Sequence, residues 1–226
     1  MPGYVEKLRH LADDERPTSI SNRLRSRRFQ LFEELVHSLP RPLSILDIGG
    51  VNDFWEQRGW AGREDVQITT LNLTEEPQRH ANIRSVAGDA TNLAQYADGS
   101  FDVAFSNSVI EHLFTHDAQA AMAREVRRVA RAYWVQTPSF WFPVEPHFLV
   151  PGWQWLPVRA RVAIIQRRSC GWRGRTPDRE TAEKVVREVR LMRRGELRRL
   201  FPGGTIVPER IAGLTKSYVV HGGFAA

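Results

Sequence analysis

Glu111 and His112 stand side by side in "SNSVIEHL", and Glu145 and His147 lie two apart in "FPVEPHF". An imidazole beside a carboxylate can accept or relay a proton near neutral pH. His112, His147 and Glu111 are therefore the candidate catalytic residues, with His116 and Asp117 about a turn further on. The same residue types suit a divalent ion held by Glu111, His112 and either Glu145 or His147. Their spacing is no diagnostic ligand motif, so no metal is assigned. Glu111 also has a structural use, as a carboxylate that caps or orients its neighbours.

A second set of residues surrounds "SILDIGGVNDFWE" (44–56), where an apolar run ends in Asp47 and then Gly49 and Gly50. Chains build this where backbone must come close to a small ligand. Three further polar ends follow apolar runs: "NL" (Asn72, Leu73), "GDA" (Gly88, Asp89, Ala90) and "SNS" (Ser106, Asn107, Ser108).

Alternating strands and helices must position these groups. Residues 18–40 read as a helix, with Ile20, Leu24, Phe29, Leu31, Phe32, Leu35, Val36 and Leu39 along one rough stripe, closed by "LPRPL". Strands follow at 44–48, 66–73, 82–89, 101–107 and 132–138. Helices are expected from about Asp53, with Asp53 and Glu56 spaced as a capping box, and over 117–131. Continuously apolar strands alternating with helices indicate an α/β protein with a Rossmann-like, doubly wound, mostly parallel sheet. Ligands bind such sheets beyond the carboxyl ends of the strands, where all four polar ends converge. A further helix is expected over 177–201, interrupted at Gly195, and the last strands are "GGTIVPERI" (203–211) and "KSYVVHGG" (216–223).

Composition sets the class. A chain of 226 residues, 42% hydrophobic and 26% charged, suits one globular domain. Its expected parts are an N-terminal helical region (1–43), a core (44–138), a lid and basic helical insertion (139–201) and C-terminal strands (203–223). No apolar run is long enough for a transmembrane segment, and the charged N-terminus lacks a secretory core. One cysteine, Cys170, leaves no intramolecular disulfide or cysteine-built zinc site. A cytoplasmic location is expected. The net charge of +6 concentrates in residues 159–199, where 14 Arg or Lys face five Asp or Glu. That excess reads first as a solvated helical surface, and alternatively as a patch for an anionic surface or nucleic acid.

The order and content of these motifs resemble the class I S-adenosylmethionine-dependent methyltransferases, in particular the small-molecule group that includes ubiquinone and menaquinone biosynthesis enzymes. Asp47-Ile48-Gly49-Gly50 is similar to that family's first motif, and "FDVAFSNSVIEHL" (101–113) to its fourth, including a Glu-His pair. The resemblance implies a seven-stranded sheet ending in an antiparallel hairpin, and S-adenosyl-L-methionine as cofactor. It implies cofactor contacts from Asp47, Gly49, Gly50, Asn72, Leu73, Asp89, Ala90, Ser106 and Asn107. Asn72 would meet the ribose and Asp89 the adenine amino group. Val51 and Asp53 stand where the fuller pattern has glycine, and Asn72 where it has an acid. An amide can still bond a diol, and Asn72→Asp is expected to be tolerated or to improve binding.

A nicotinamide-binding domain is the main competitor. It needs a longer glycine series and a helix start that welcomes diphosphate, where this chain has Asp53. The proline-rich aromatic segment 137–157 begins at the fifth strand's end and can wall the transferred methyl. The expected activity is O-methylation of an aromatic, polyketide, lipid or glycolipid acceptor. The alternatives are an RNA methyltransferase and a non-catalytic cofactor-fold binding protein.

Overall fold

The computed structural model describes residues 20–224, so the first half of the expected N-terminal region, 1–19, lies outside the described residues. Helix α1 (Ile20–Val36) leads into strand β1 (Leu43–Ile48), followed by α2 (Asn52–Gln57), β2 (Val66–Asn72) and β3 (Ile83–Ala87). Strand β4 (Phe101–Asn107) gives way to a 3-10 turn at Ile110–His112, then α3 (His116–Val129) and β5 (Ala130–Pro138). The lid carries a 3-10 turn at Trp153–Trp155. Helices α4 (Val158–Arg167), α5 (Arg179–Arg187) and α6 (Arg194–Leu200) precede β6 (Thr205–Ile211) and β7 (Leu214–Gly222).

The seven strands form one sheet in the order β3-β2-β1-β4-β5-β7-β6. β1 to β5 pair in parallel, and β7 joins β5 antiparallel and carries β6 at the edge. Strand order reverses between β1 and β4, which puts the ligand-binding crevice of such sheets at the ends of those two strands.

Each sheet face buries its own core. On one, α1 packs Phe29, Phe32 and Val36 against Trp55, Trp60, Phe105 and Trp134. Phe32 meets Phe105 at 4.9 Å with rings 66° apart, the tilted geometry that aromatic pairs favour. On the other, α3 and α6 contribute Met122, Val126, Leu197 and Leu200 beneath Leu46, Ala104 and Val135. A smaller cluster, Phe148, Trp153, Val162, Ile165, Cys170, Ala182 and Val186, ties the lid to α4 and α5. Cys170 is buried and free.

Three local expectations need correction. Asp53 and Glu56 form no capping box: α2 starts one residue earlier, at Asn52, so Asp53 falls inside the first turn. Both acids reach Arg79 instead, at 2.6 and 3.3 Å. The helix expected over 177–201 is two, and the break precedes Gly195, which lies inside α6. Tertiary bonding overrides helical propensity there, because Arg190 N–H donates to Glu111 O at 2.7 Å and Phe140 N–H to Met192 O at 3.0 Å. Several strand ends also move by one or two residues, the third strand shortening to Ile83–Ala87.

Candidate active site

The turn after β1 is shaped from within. Gly49 has φ +77°, and a β-carbon there would overlap Val109 on the loop after β4. A side chain on Gly50 would overlap the Asp47 carboxylate. Asp47 is 2% exposed and accepts from Trp55 Nε1 at 2.7 Å. Burial raises its pKa to about 7, with the indole bond opposing. The two glycines therefore make room first for Asp47 and Val109, which brings the β1 turn against the loop carrying Glu111.

Hydrogen bonds gather the neighbouring strand ends. Asn72 Nδ2 donates to Gly50 O at 2.6 Å, and Gly88 N–H to Asn72 O at 2.8 Å. Asn52 donates from backbone and side chain to Glu76 Oε2 at 3.2 and 3.0 Å. Leu73 is 86% exposed at the end of β2, and Val51, directly after the glycine pair, is exposed as well. Asp89 is exposed, with Oδ1 taken by Thr91 N–H and Oγ1 at 2.8 Å each, and Ala90 packs on the core below.

The other two expected contacts lie elsewhere. Ser106 is fully buried and donates to Ile48 O at 3.2 Å, beneath the rim. Asn107 accepts from Arg28 Nη1 at 2.6 Å, and Arg28 Nε bonds Glu209 at 2.9 Å. Its side chain is engaged on the α1 side. The structure thus brings Gly49, Gly50, Asn72, Leu73, Asp89 and Ala90 together at the strand ends, with Asp47 and Ser106 supporting them. A side-chain-free turn, an exposed leucine and an exposed carboxylate fit a ligand with a tail approached by backbone, an apolar ring and a polar ring edge.

Beyond the ends of β4 and β5 the histidines meet. Glu111 is fully buried in the 3-10 turn; Oε2 accepts from Thr137 Oγ1 at 2.9 Å, and Oε1 has no partner. Burial lifts its pKa to about 7, against the backbone bond, the His147 charge and Thr137. Gln119 Nε2 holds the turn through Ile110 O and Arg190 O, both at 2.9 Å. The rings of His112 and His147 stand 4.8 Å apart and nearly perpendicular. Burial, then the charges of His147 and Arg173, lowers the His112 pKa to about 4.

His147 Nδ1 lies 2.5 Å from Glu145 Oε1. The other Glu145 oxygen accepts the backbone N–H of His147 at 2.9 Å and of Phe148 at 2.7 Å. An ionised carboxylate only accepts, so Nδ1 carries the proton and Nε2 is left to accept or to bind. Burial lowers the His147 pKa, but the bond and charge of Glu145 outweigh it, and the net shift is upward. Glu111, His112 and His147 can each offer one ligand atom, all within 4.8 Å of one another, so a divalent ion would find two imidazoles and a carboxylate here. Glu145 would then orient the His147 ligand from behind.

Thr137 and Val109 escaped the sequence reading. Thr137 is 26 residues from Glu111, and "QTP" carries no sign of that partner. Val109 matters only through a glycine 60 positions away.

A family model described as a methyltransferase domain matches residues 56–132. The CurJ carbon methyltransferase superimposes with a TM-score of 0.56 at 12% identity, covering 95% of this chain and 57% of that one. The N-terminal domain of EvdMO1, crystallised in the presence of SAH and D-fucose, gives 0.52 at 17% identity, covering 86% and 80%. A search of curated proteins finds no match. The methyltransferase-domain match spans residues 56–132, and the chain shares the fold of these two solved structures. Among the described residues no helix is long and apolar enough to cross a membrane.

Proposed function

We propose that this protein transfers a methyl group from S-adenosylmethionine to an oxygen atom of a small-molecule acceptor, with His147 as general base. The observation that carries the reading is the Glu145–His147 pair at 2.5 Å, beyond the end of β5, with Nε2 left without a hydrogen bond among the described residues. S-adenosylmethionine, when bound, supplies an electrophilic methyl on a cationic sulfonium. Gly49 and Gly50 would let backbone approach its methionine part, Asn72 and the strand ends would hold the ribose, and Leu73, Asp89 and Ala90 would border the adenine. Asp47 and Ser106 act through the turn they support. His147 Nε2 removes the acceptor hydroxyl proton as the oxygen attacks, and Glu145 stabilises the imidazolium that results. His112, kept neutral by burial, and the lid exclude water from that proton transfer.

The lid offers exposed Trp141, Trp155 and, from the insertion, Trp172, which would pack the apolar part of an acceptor. The two solved neighbours named above, a carbon methyltransferase and a domain crystallised with a sugar, are in keeping with a small acceptor. The basic segment argues less for nucleic acid than its composition does. Arg173, Arg179, Lys184 and Arg190 are each paired with a glutamate, and Arg193 lies over the Phe140 and Trp141 rings. A metal at Glu111, His112 and His147 is the second reading of the same cluster, favoured by the unpartnered Glu111 Oε1.

Incubating the protein and a trideuteromethyl cofactor with cell extract tests the acceptor class by mass spectrometry. The expected product is a small molecule bearing the label as a base-stable ether. Label found only in RNA would overturn the reading.

A further inference from the structure

Between the lid and the basic insertion lies a cavity of about 240 Å³ that takes no part in the strand-end site. Its polar lining is Glu145, Gln154, Arg161, Arg190, Arg193 and Glu196, with Phe140 and Trp153 among the aromatic walls. It is smaller than the ~300 Å³ at which pockets begin to hold a whole drug-sized ligand, so it suits one group of a molecule.

Its polar groups are incompletely satisfied. Trp153 is 1% exposed, yet its Nε1 has no acceptor. Arg161 Nε is buried without a partner, and the Arg161 guanidinium makes no ion pair or hydrogen bond among the described residues. Buried donors are nearly always bonded, and leaving one unmet is costly. Two unmet donors lining one cavity therefore point to an acceptor-rich occupant.

The charges agree. Glu145 spends its oxygens on His147 and two backbone N–H groups, and Glu196 is held by Arg190 at 2.5 Å and Arg193 N–H at 2.8 Å. Arg161 and Arg193 remain without a carboxylate partner, and Arg193 is fixed 4.4 Å over the Phe140 ring. Burial, and then the charge of Arg187, disfavour the Arg161 cation, with Glu145 only partly offsetting them. An anion in the cavity would remove that penalty. Gln154 Oε1, also unpartnered, adds one acceptor for a neighbouring hydroxyl.

We propose that the cavity is an anion subsite, in which Arg161 and the Trp153 indole N–H seat a carboxylate or phosphate group of the methyl acceptor. Glu145 lines the cavity and also holds His147, so the seated group would lie one residue from the proposed base. The assignment of the anion to the acceptor rests on the methyltransferase reading; the anion site itself does not. An acceptor with an acidic group at one end and an apolar or ring portion toward the lid tryptophans would satisfy both surfaces.

The indole N–H resonance of Trp153, assigned through Trp153→Phe, is a direct reporter. The full-length protein is titrated with inorganic phosphate and separately with acetate, at ionic strength held constant with chloride. The expected result is a saturable shift of that resonance with at least one anion, and the stronger of the two names the group. Losing a charge-assisted bond costs about 1.5–3 kcal/mol, so Arg161→Gln should weaken the titration by roughly tenfold or more. Arg161→Lys, which keeps charge but not the planar fork, serves if the glutamine variant does not fold, and should weaken it less. A resonance unmoved by both anions, or moved equally in wild type and variants, overturns the proposal. Calorimetry of wild type with adenosylhomocysteine separates the two readings. Anion binding without cofactor binding would sink the methyltransferase reading and leave the subsite standing.

Discussion

The Asn72 side chain donates its amide hydrogen to the Gly50 carbonyl at 2.6 Å, so the end of β2 is tied to the glycine turn after β1. The sequence alone presents Asn72 as a stand-in for a ribose-binding acid, and Asp as the natural improvement. The bond reverses that expectation, because a carboxylate cannot donate and would face a carbonyl oxygen. Asn72→Asp should weaken adenosylhomocysteine binding by about tenfold, the scale of one lost hydrogen bond with an acceptor left unmet. Calorimetry decides, and equal or tighter binding would restore the simpler view.

Gly50 gives a sharper structural test. A methyl group there meets the buried Asp47 carboxylate, which cannot retreat while bonded to Trp55. Gly50→Ala should cost about 1–3 kcal/mol, the usual scale of overpacking. Gly174 has open space around its would-be β-carbon and no left-handed φ. Gly174→Ala should stay within about 0.5 kcal/mol of wild type in urea unfolding.

These two cases mark what the sequence could show. The order of strands and the parallel sheet were legible, because hydrophobic period and glycine position are local signals. Asp47 and Ser106 were placed at the right height but assigned to the ligand, when they face inward. Nothing in a one-dimensional pattern distinguishes an acid reaching out of a turn from one folded beneath it. The break before α6 was misplaced for a related reason. Glycine marks weak helix locally, whereas the real interruption is set by Arg190 and Met192 docking on the distant Glu111 turn and lid.

Stability should fall as pH rises toward neutrality. Asp47 and Glu111 both have folded pKa values of about 7, above the ordinary carboxyl values of 3.8 and 4.5. Between those limits the native state binds more protons than the unfolded chain, so raising the pH costs stability. The contribution is complete below about pH 4 and lost once pH passes about 7. Thermal unfolding followed from pH 5 to pH 8 should show this decline on top of the other titrations. Asp47→Asn and Glu111→Gln should each flatten it, and an unchanged slope in both variants would refute the burial argument.

The proposed base has a more specific signature than loss of activity. His147→Gln should lower turnover by about 10²–10⁴ while cofactor affinity stays constant. A base must be neutral to act, so the rate falls as pH drops through its pKa. Glu145 raises that pKa through its hydrogen bond and charge. Glu145→Gln should therefore move the acid limb of the pH–rate profile to lower pH, besides reducing turnover through a less well-oriented ring. A metal at the same histidines gives a different pattern: chelation would abolish turnover, and a divalent ion would restore it. If Glu145→Gln leaves the acid limb in place and chelator followed by manganese switches activity off and on, His147 is a ligand rather than the base. The unpartnered Glu111 Oε1 would then be the third donor of that site.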